Sequence, residues 1–140
     1  MAEDVRALTR RFMEEVFNKG NMSVAEELIA PGATEHSPPP DSTGSALEDL
    51  RGWLTEMRNA FPDLVVSIDD MIVEGDKVVV RSTMTGTHKE AFMGIPATGR
   101  QISVPGIDIM RVKDGKYTDH WGVADSAAMM GQLGAMPPPG

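Results

Sequence analysis

The sequence predicts an α+β domain in which helices cover one face of a single antiparallel sheet. Three observations predict it. Apolar residues recur at three- and four-residue spacing as far as Phe61; from Leu64 onward the chain turns to runs rich in Val, Ile and Thr; and those runs flank the turn-forming Glu74-Gly75-Asp76 and Asp114-Gly115. Helical segments first and hairpins afterwards, without alternation, separate this class from a parallel sheet built of crossover units.

Each element has its own local cause. Val5, Leu8, Phe12 and Val16 form one apolar stripe on a first helix, which stops around Asn18-Lys19-Gly20-Asn21. Ser23 with Glu26 is a capping-box signature and starts a short second helix, which Pro31-Gly32 ends. Residues Ala33 to Thr43 read as a loop, because Pro38-Pro39-Pro40 supplies no backbone amides to a ladder or a helix. A second capping box, Ser45 with Glu48, opens the third helix; it sets Leu47, Leu50, Leu54, Met57 and Phe61 on one face, and Pro62 closes it. Four strands follow, Leu64 to Val73, Lys77 to His88, about Gln101 to Val112 and Lys116 to Ala124, joined as two hairpins. A final helix runs from about Ser126 to Leu133. With no internal repeat and no boundary signal, residues 1–134 form one domain and the Pro-rich residues 135–140 a disordered tail.

A chain of 140 residues suits one compact core with room for a ligand cavity. Its formal charge is −8 and its longest basic run is Arg10-Arg11, which disfavours nucleic acid or an anionic membrane as a partner. No apolar stretch nears the ~20 residues of a bilayer span, and the acidic start lacks a signal-peptide layout, so a cytoplasmic protein is expected. The absence of cysteine excludes disulfides, thiolate nucleophiles and Cys-ligated metals.

Several short motifs occur together in a specific order: Ala60-Phe61-Pro62-Asp63-Leu64, Thr85-Gly86-Thr87-His88, Gly94-Ile95-Pro96-Ala97-Thr98-Gly99-Arg100, Gly106-Ile107-Asp108, and the ending Asp119-His120-Trp121-Gly122-Val123-Ala124-Asp125. On them the chain resembles the SnoaL-like polyketide cyclases, a branch of the ketosteroid-isomerase and nuclear-transport-factor-like superfamily. The resemblance implies a cone-shaped curved sheet wrapped over three N-terminal helices, with a short C-terminal helix and a pocket between. It also implies cofactor-free ring closure of a polyketide-like ester by intramolecular aldol chemistry. Those cyclases carry an acid/base aspartate directly after the residue in the Trp121 place, where this chain has Gly122.

Strand parity identifies a cavity wall independently of the family. Arg81, Thr83, Thr85 and Thr87 form a polar face, so Val80, Ser82, Met84, Gly86 and His88 point the other way. By the same alternation Asp108 and Met110 share one side, opposite Ile107 and Ile109, and His120, Gly122 and Ala124 share one side of the last strand. The small Gly122 and Ala124 leave space beside His120 for a ligand.

His120 is the main candidate for proton transfer, since an ordinary imidazole titrates near ~6.5; the alternative is a core histidine held by one hydrogen bond. Asp108, between Ile107 and Ile109, is costly to bury unless paired, and is either the base or an outward carboxylate on Arg111 or Arg81. Asp125 is a third catalytic candidate whose competing role is capping the last helix. His36, Trp53, Met84, His88, Met93, Met110 and Gly122 are candidate substrate contacts. Against this stand an exposed loop for His36, a surface strand end for His88 and simple packing for Trp53 and Trp121. Glu35 reads as solvated and Tyr117 as near the surface, where it could not serve the oxyanion pair an isomerase needs. The three histidines lie on separate elements without ligand-pair spacing, so no metal is expected.

These observations lead to a cofactor-free protein that binds an apolar, carbonyl-bearing small molecule and moves protons on it through His120 and Asp108. The alternatives are a non-catalytic binding member of the superfamily, or an epoxide hydrolase or isomerase on the same fold. Ile107 and Ile109, on the face the helices leave open, predict a homodimer.

Overall fold

The computed structural model describes residues 2–135. It contains α1 (Ala2–Phe12), a π-helical turn (Met13–Asn18), α2 (Met22–Leu28), β1 (Ile29–Glu35), α3 (Ala46–Ala60), β2 (Val65–Glu74), β3 (Lys77–Thr87), β4 (Gln101–Lys113), β5 (Lys116–Ala124) and α4 (Ser126–Gln132). The strands form one curved, unclosed sheet in the order β1-β5-β4-β3-β2. All neighbours are antiparallel except β1 and β5, so the sheet is mixed. The expected tail falls largely on residues 136–140, outside the described ones.

The helix starts divide into one side-chain cap that forms and one that does not, and neither closes as a box, since the Ser45 amide donates to Thr43 Oγ1 at 3.2 Å rather than to Glu48. Ser45 caps α3, its hydroxyl accepting the Glu48 amide at 3.3 Å. At α2 the helix begins one residue before Ser23, with Asn21 as the cap position, and the Ser23 hydroxyl donates to Asn21 Oδ1 at 2.6 Å. Glu26 instead takes Arg51 of α3 at 2.9 Å, so its carboxylate ties two helices rather than a backbone amide. The π-helical turn delivers Asn18 to the free edge of β2. Its side chain accepts the Val66 amide at 2.6 Å and donates to the Val66 carbonyl at 3.2 Å, covering backbone groups that an edge strand leaves open.

Two local expectations are corrected. The segment read as a loop from Ala33 includes the end of strand β1, which pairs parallel to β5 with Ile29 opposite Tyr117 and Glu35 opposite His120. Pro31 and Gly32 are tolerated because β1 is an edge strand and its register shifts between Ile29 and Thr34. The second correction is Tyr117, which is buried. A shift in the β4–β5 register pairs Val112 with Tyr117 and Arg111 with Asp119, leaving Thr118 as an extra residue. Strict alternation would put Tyr117 and His120 on opposite faces; the bulge turns both inward.

Inside the curve lie two apolar clusters. One gathers Phe12, Val16, Ala25, Leu28, Leu54, Val78, Val80, Met110 and Tyr117; the other gathers Met57, Phe61, Leu64, Phe92, Ile102, Val104, Met129 and Leu133. β3 contributes through Val78, Val80, Ser82 and Gly86, all buried, while Lys77, Arg81 and Thr85 are exposed, so the alternation predicted for this strand holds. No helix among the described residues is long and apolar enough to cross a membrane.

Candidate active site

Three strands bring three ionisable side chains together on the inner face. His120 Nε2 lies 2.8 Å from Asp108 Oδ1, and His120 Nδ1 lies 2.7 Å from both Glu35 oxygens. Glu35 is directly opposite His120 on β1, whereas the β4 residue opposite His120 is Met110. The bond to Asp108 is therefore diagonal, and Asp108 faces Gly122 across the ladder.

Gly122 makes that diagonal possible. A Cβ there would lie 2.6 Å from Asp108 Oδ1, 2.9 Å from His120 Cε1 and 3.0 Å from His120 Nε2, closer than atoms not bonded to one another can stand. The Gly122 amide donates to Ser37 Oγ at 3.1 Å, and the Ser37 amide donates to Glu35 at 3.3 Å. The chain leaving β1 thus braces the carboxylate that β1 supplies.

Burial pushes the His120 pKa down, and the hydrogen bonds and charges of Asp108, then of Glu35, more than reverse it, so it lies above the ordinary imidazole value. A protonated ring donates from both nitrogens, which satisfies both carboxylates at once. Together the three groups can accept a proton at Asp108 and deliver one from His120, as general acid–base chemistry needs. Asp108 and His120 side chains keep about a third of their surface open, so both are reachable. Among the described residues no cluster of His, Asp and Glu is arranged to hold a metal ion.

The other candidates are dispersed. Met84, Met110 and His88 face inward with the apolar clusters. His88 is fully buried rather than a surface histidine, stacking 5.4 Å from Phe61 with its Nδ1 3.0 Å from the Thr98 hydroxyl. His36 is on the opposite sheet face from His120, stacked on Trp121 at 4.2 Å and 2.8 Å from Asp119. Trp53 packs edge-on against Phe17, and Met93 is exposed in a turn at φ 48°. Asp125 caps α4, accepting the Ala128 amide at 2.9 Å, and does not join the histidine. Buried Tyr117 donates its hydroxyl to Thr9 at 2.9 Å, away from the carboxylates, and burial raises its pKa.

Glu35 is the residue that sequence reasoning missed. Its place depends on β1 lying beside β5, a pairing of segments far apart in the chain that Pro31-Gly32 conceals. The adjacent pair Glu35-His36, with one side chain on each sheet face, is intelligible only once that strand is recognised.

Comparison with known proteins agrees with this architecture. The family model described as SnoaL-like polyketide cyclase matches residues 7–133. The aklanonic acid methyl ester cyclase DnrD of Streptomyces peucetius is 34% identical over 134 residues, covering 91% of this chain and 88% of the relative. The nogalonic acid methyl ester cyclase of Streptomyces nogalater is 29% identical over 130 residues, covering 87% and 92%. The structure of TsrD from Streptomyces laurentii superposes with a TM-score of 0.84 at 31% identity, covering 96% of this chain and 97% of that one. Matched along nearly its whole length in sequence and fold, the chain belongs to the SnoaL-like polyketide cyclase family.

Proposed function

We propose that this protein closes a ring in a polyketide-type methyl ester by intramolecular aldol addition, with Asp108 as base and His120 as acid. The observation that carries the proposal is the His120 imidazole held between Asp108 and Glu35. Asp108 takes a proton from a carbon flanked by carbonyls, and the resulting enolate carbon attacks a second carbonyl. That carbonyl's oxygen takes a proton from His120 Nε2, and the proton on Asp108 passes to the vacated Nε2, 2.8 Å away, restoring both groups. Glu35 fixes the ring through Nδ1. The chemistry moves one proton from carbon to oxygen and calls for no redox step. Apolar walls hold the flexible substrate folded on itself, which lowers the entropic part of the barrier.

The names of the relatives motivate the test substrate. Aklanonic acid methyl ester incubated with the protein should yield a cyclised isomer of unchanged mass, seen by chromatography, and Asp108→Asn should abolish it. Turnover that survives both Asp108→Asn and His120→Ala would sink the assignment. Binding of the ester without turnover would support the non-catalytic alternative.

The same reading includes a cytoplasmic homodimer, joined through the outer sheet face where Ile107, Ile72 and Val123 are exposed. Light scattering at micromolar concentration that gives the mass of one chain would overturn the dimer.

A further inference from the structure

Among the described residues His120 is the only cationic side chain within ion-pair distance of Glu35 or of Asp108. From β1 the ring meets Glu35, and from β4 it meets Asp108. Charged neighbours face elsewhere: Arg111 bonds Asp119 on the outer sheet face, and on the helical side Arg51 takes Glu26 and Glu48 while Asp49 turns to Ser42 and Thr43. An ionised carboxylate has no proton to give, so a ring nitrogen bonded to one must supply the proton itself.

The two carboxylates differ in what they can do. Both Glu35 oxygens lie 2.7 Å from Nδ1, whereas Asp108 offers Nε2 one oxygen at 2.8 Å. The Glu35 side chain is 20% exposed against 33% for Asp108, which leaves Asp108 the more open to a substrate. Glu35 also sits on backbone tied to the histidine itself, directly opposite His120 in the parallel pairing, with the His36 amide donating to the His120 carbonyl at 2.8 Å. At rest Asp108 does more than Glu35 to favour the protonated ring, but Asp108 loses its charge as soon as it accepts a proton from carbon. From that step on, Glu35 is the anion still paired with the ring.

We infer that Glu35 is a positioning residue whose negative charge holds a proton on His120 Nδ1 throughout the cycle, so that the ring enters as a cation and gives up the Nε2 proton. The inference rests on the cyclase reading and goes beyond the orientation of the ring. As Asp108 takes the carbon-bound proton, the C–H electron pair passes into the enolate and then forms the new carbon–carbon bond. The attacked carbonyl's π pair moves to its oxygen, which takes the Nε2 proton. What remains is a neutral ring with its proton on Nδ1 against Glu35 and a lone pair on Nε2, into which Asp108 returns the proton it took. Without a proton on Nδ1 at the start, the single N–H would point from Nε2 to Asp108. A neutral imidazole loses that last proton only far above the working pH, so it is no acid for a carbonyl oxygen.

The test is Glu35→Gln, assayed on aklanonic acid methyl ester between pH ~6 and pH ~8. The amide matches the carboxylate in shape and its oxygen can still accept from Nδ1, but it carries no charge. The expected kcat is at least ~10-fold below wild type at pH ~8, with the gap narrowing to about threefold or less at pH ~6, where solution protons charge the ring without help. KM should change little, because Glu35 touches the histidine and not the substrate. Glu35→Asp, which keeps the charge, should regain part of the activity at the higher pH. A residue that merely braced β1 would give the same loss at every pH. Such a flat loss, or a kcat within about threefold of wild type at pH ~8, overturns the Glu35 assignment, and with wild type active and Asp108→Asn inactive it leaves the cyclase reading standing. Should Glu35→Gln not fold, the imidazole nitrogen shifts of wild type decide by NMR: a proton on His120 Nδ1 is expected, and a bare Nδ1 overturns the assignment. If wild type turns over no ester, the cyclase reading fails and the His120 titration is compared instead. A midpoint that falls in Glu35→Gln retains the charge role, and an unmoved one overturns it.

Discussion

Two histidine–carboxylate pairs stand back to back across strands β1 and β5. Glu35 and His120 meet on the inner face, while their chain neighbours His36 and Asp119 meet on the outer one. Inside, one imidazole lies between two carboxylates, which favour its protonated form. Outside, one carboxylate receives His36, the Thr118 hydroxyl at 2.8 Å and Arg111 at 3.3 Å, and these, His36 first, hold Asp119 below the usual carboxylate range. Arg111 and Lys77 also lie over Trp121, on which His36 stacks. The same residue types therefore make a proton reservoir on one face and a clamp for the edge strand on the other. What differs is the sign of the surplus charge around each pair.

The largest test of this contrast is catalytic. Asp108→Asn and His120→Ala should each lower kcat on the ester by ~10²–10⁴-fold, whereas His36→Ala, behind the sheet, should leave it within about threefold. Equal losses on both faces would erase the distinction.

Gly122→Ala comes next. Its Cβ would stand 2.6 Å from Asp108 Oδ1 and 3.0 Å from His120 Nε2, so the diagonal must break or tilt. A loss of kcat of roughly 10-fold or more is expected, with the His120 pKa falling as the carboxylate withdraws. Gly122→Asp should do at least as much, since with Asp108 in place it adds a second carboxylate to a space that holds one. Activity above wild type in Gly122→Asp would show that the strands can part further than this geometry allows.

The two faces should also respond to pH with opposite sign. His120 has a raised folded pKa, so its contribution to stability is complete below the ordinary imidazole value and is lost as pH rises through the raised one. Asp119 has a lowered folded pKa, so its contribution is present above the ordinary carboxylate value and is lost as pH falls through the lowered one. Imidazole resonances followed by NMR should place His120 above ~6.5, and Asp108→Asn should bring it down. A wild-type His120 that titrates below that value contradicts the doubly paired geometry.

The smallest effect should come from Asp119→Asn. Its partners are solvent-accessible, so a slight drop in Tm that disappears in high salt is expected, with kcat unchanged.

Much of the site can be read without coordinates because a strand repeats every two residues. That period alone places Asp108, Ser82, His120 and Gly122 on one side, and capping and proline signals place the start and end of α3. Whether Asp108 turns to His120 or to an arginine is open at that level, since the sequence offers both Arg81 and Arg111 as partners; in the fold Arg81 pairs with Asp69, and Arg111 with Asp76 and Asp119. Parity also fails once, at Tyr117, where the extra residue Thr118 reverses the facing of everything before it in the strand. Glu35 lies wholly beyond local pattern. Residues of an edge strand interrupted by Pro31-Gly32 carry no periodicity to detect, and the parallel partner that turns this carboxylate from solvent to His120 is 85 residues away in the chain. Local periodicity thus determined which faces the chain's own strands present, while pairing between distant segments decided which charges meet, because a hydrogen bond depends on proximity that only the assembled sheet provides.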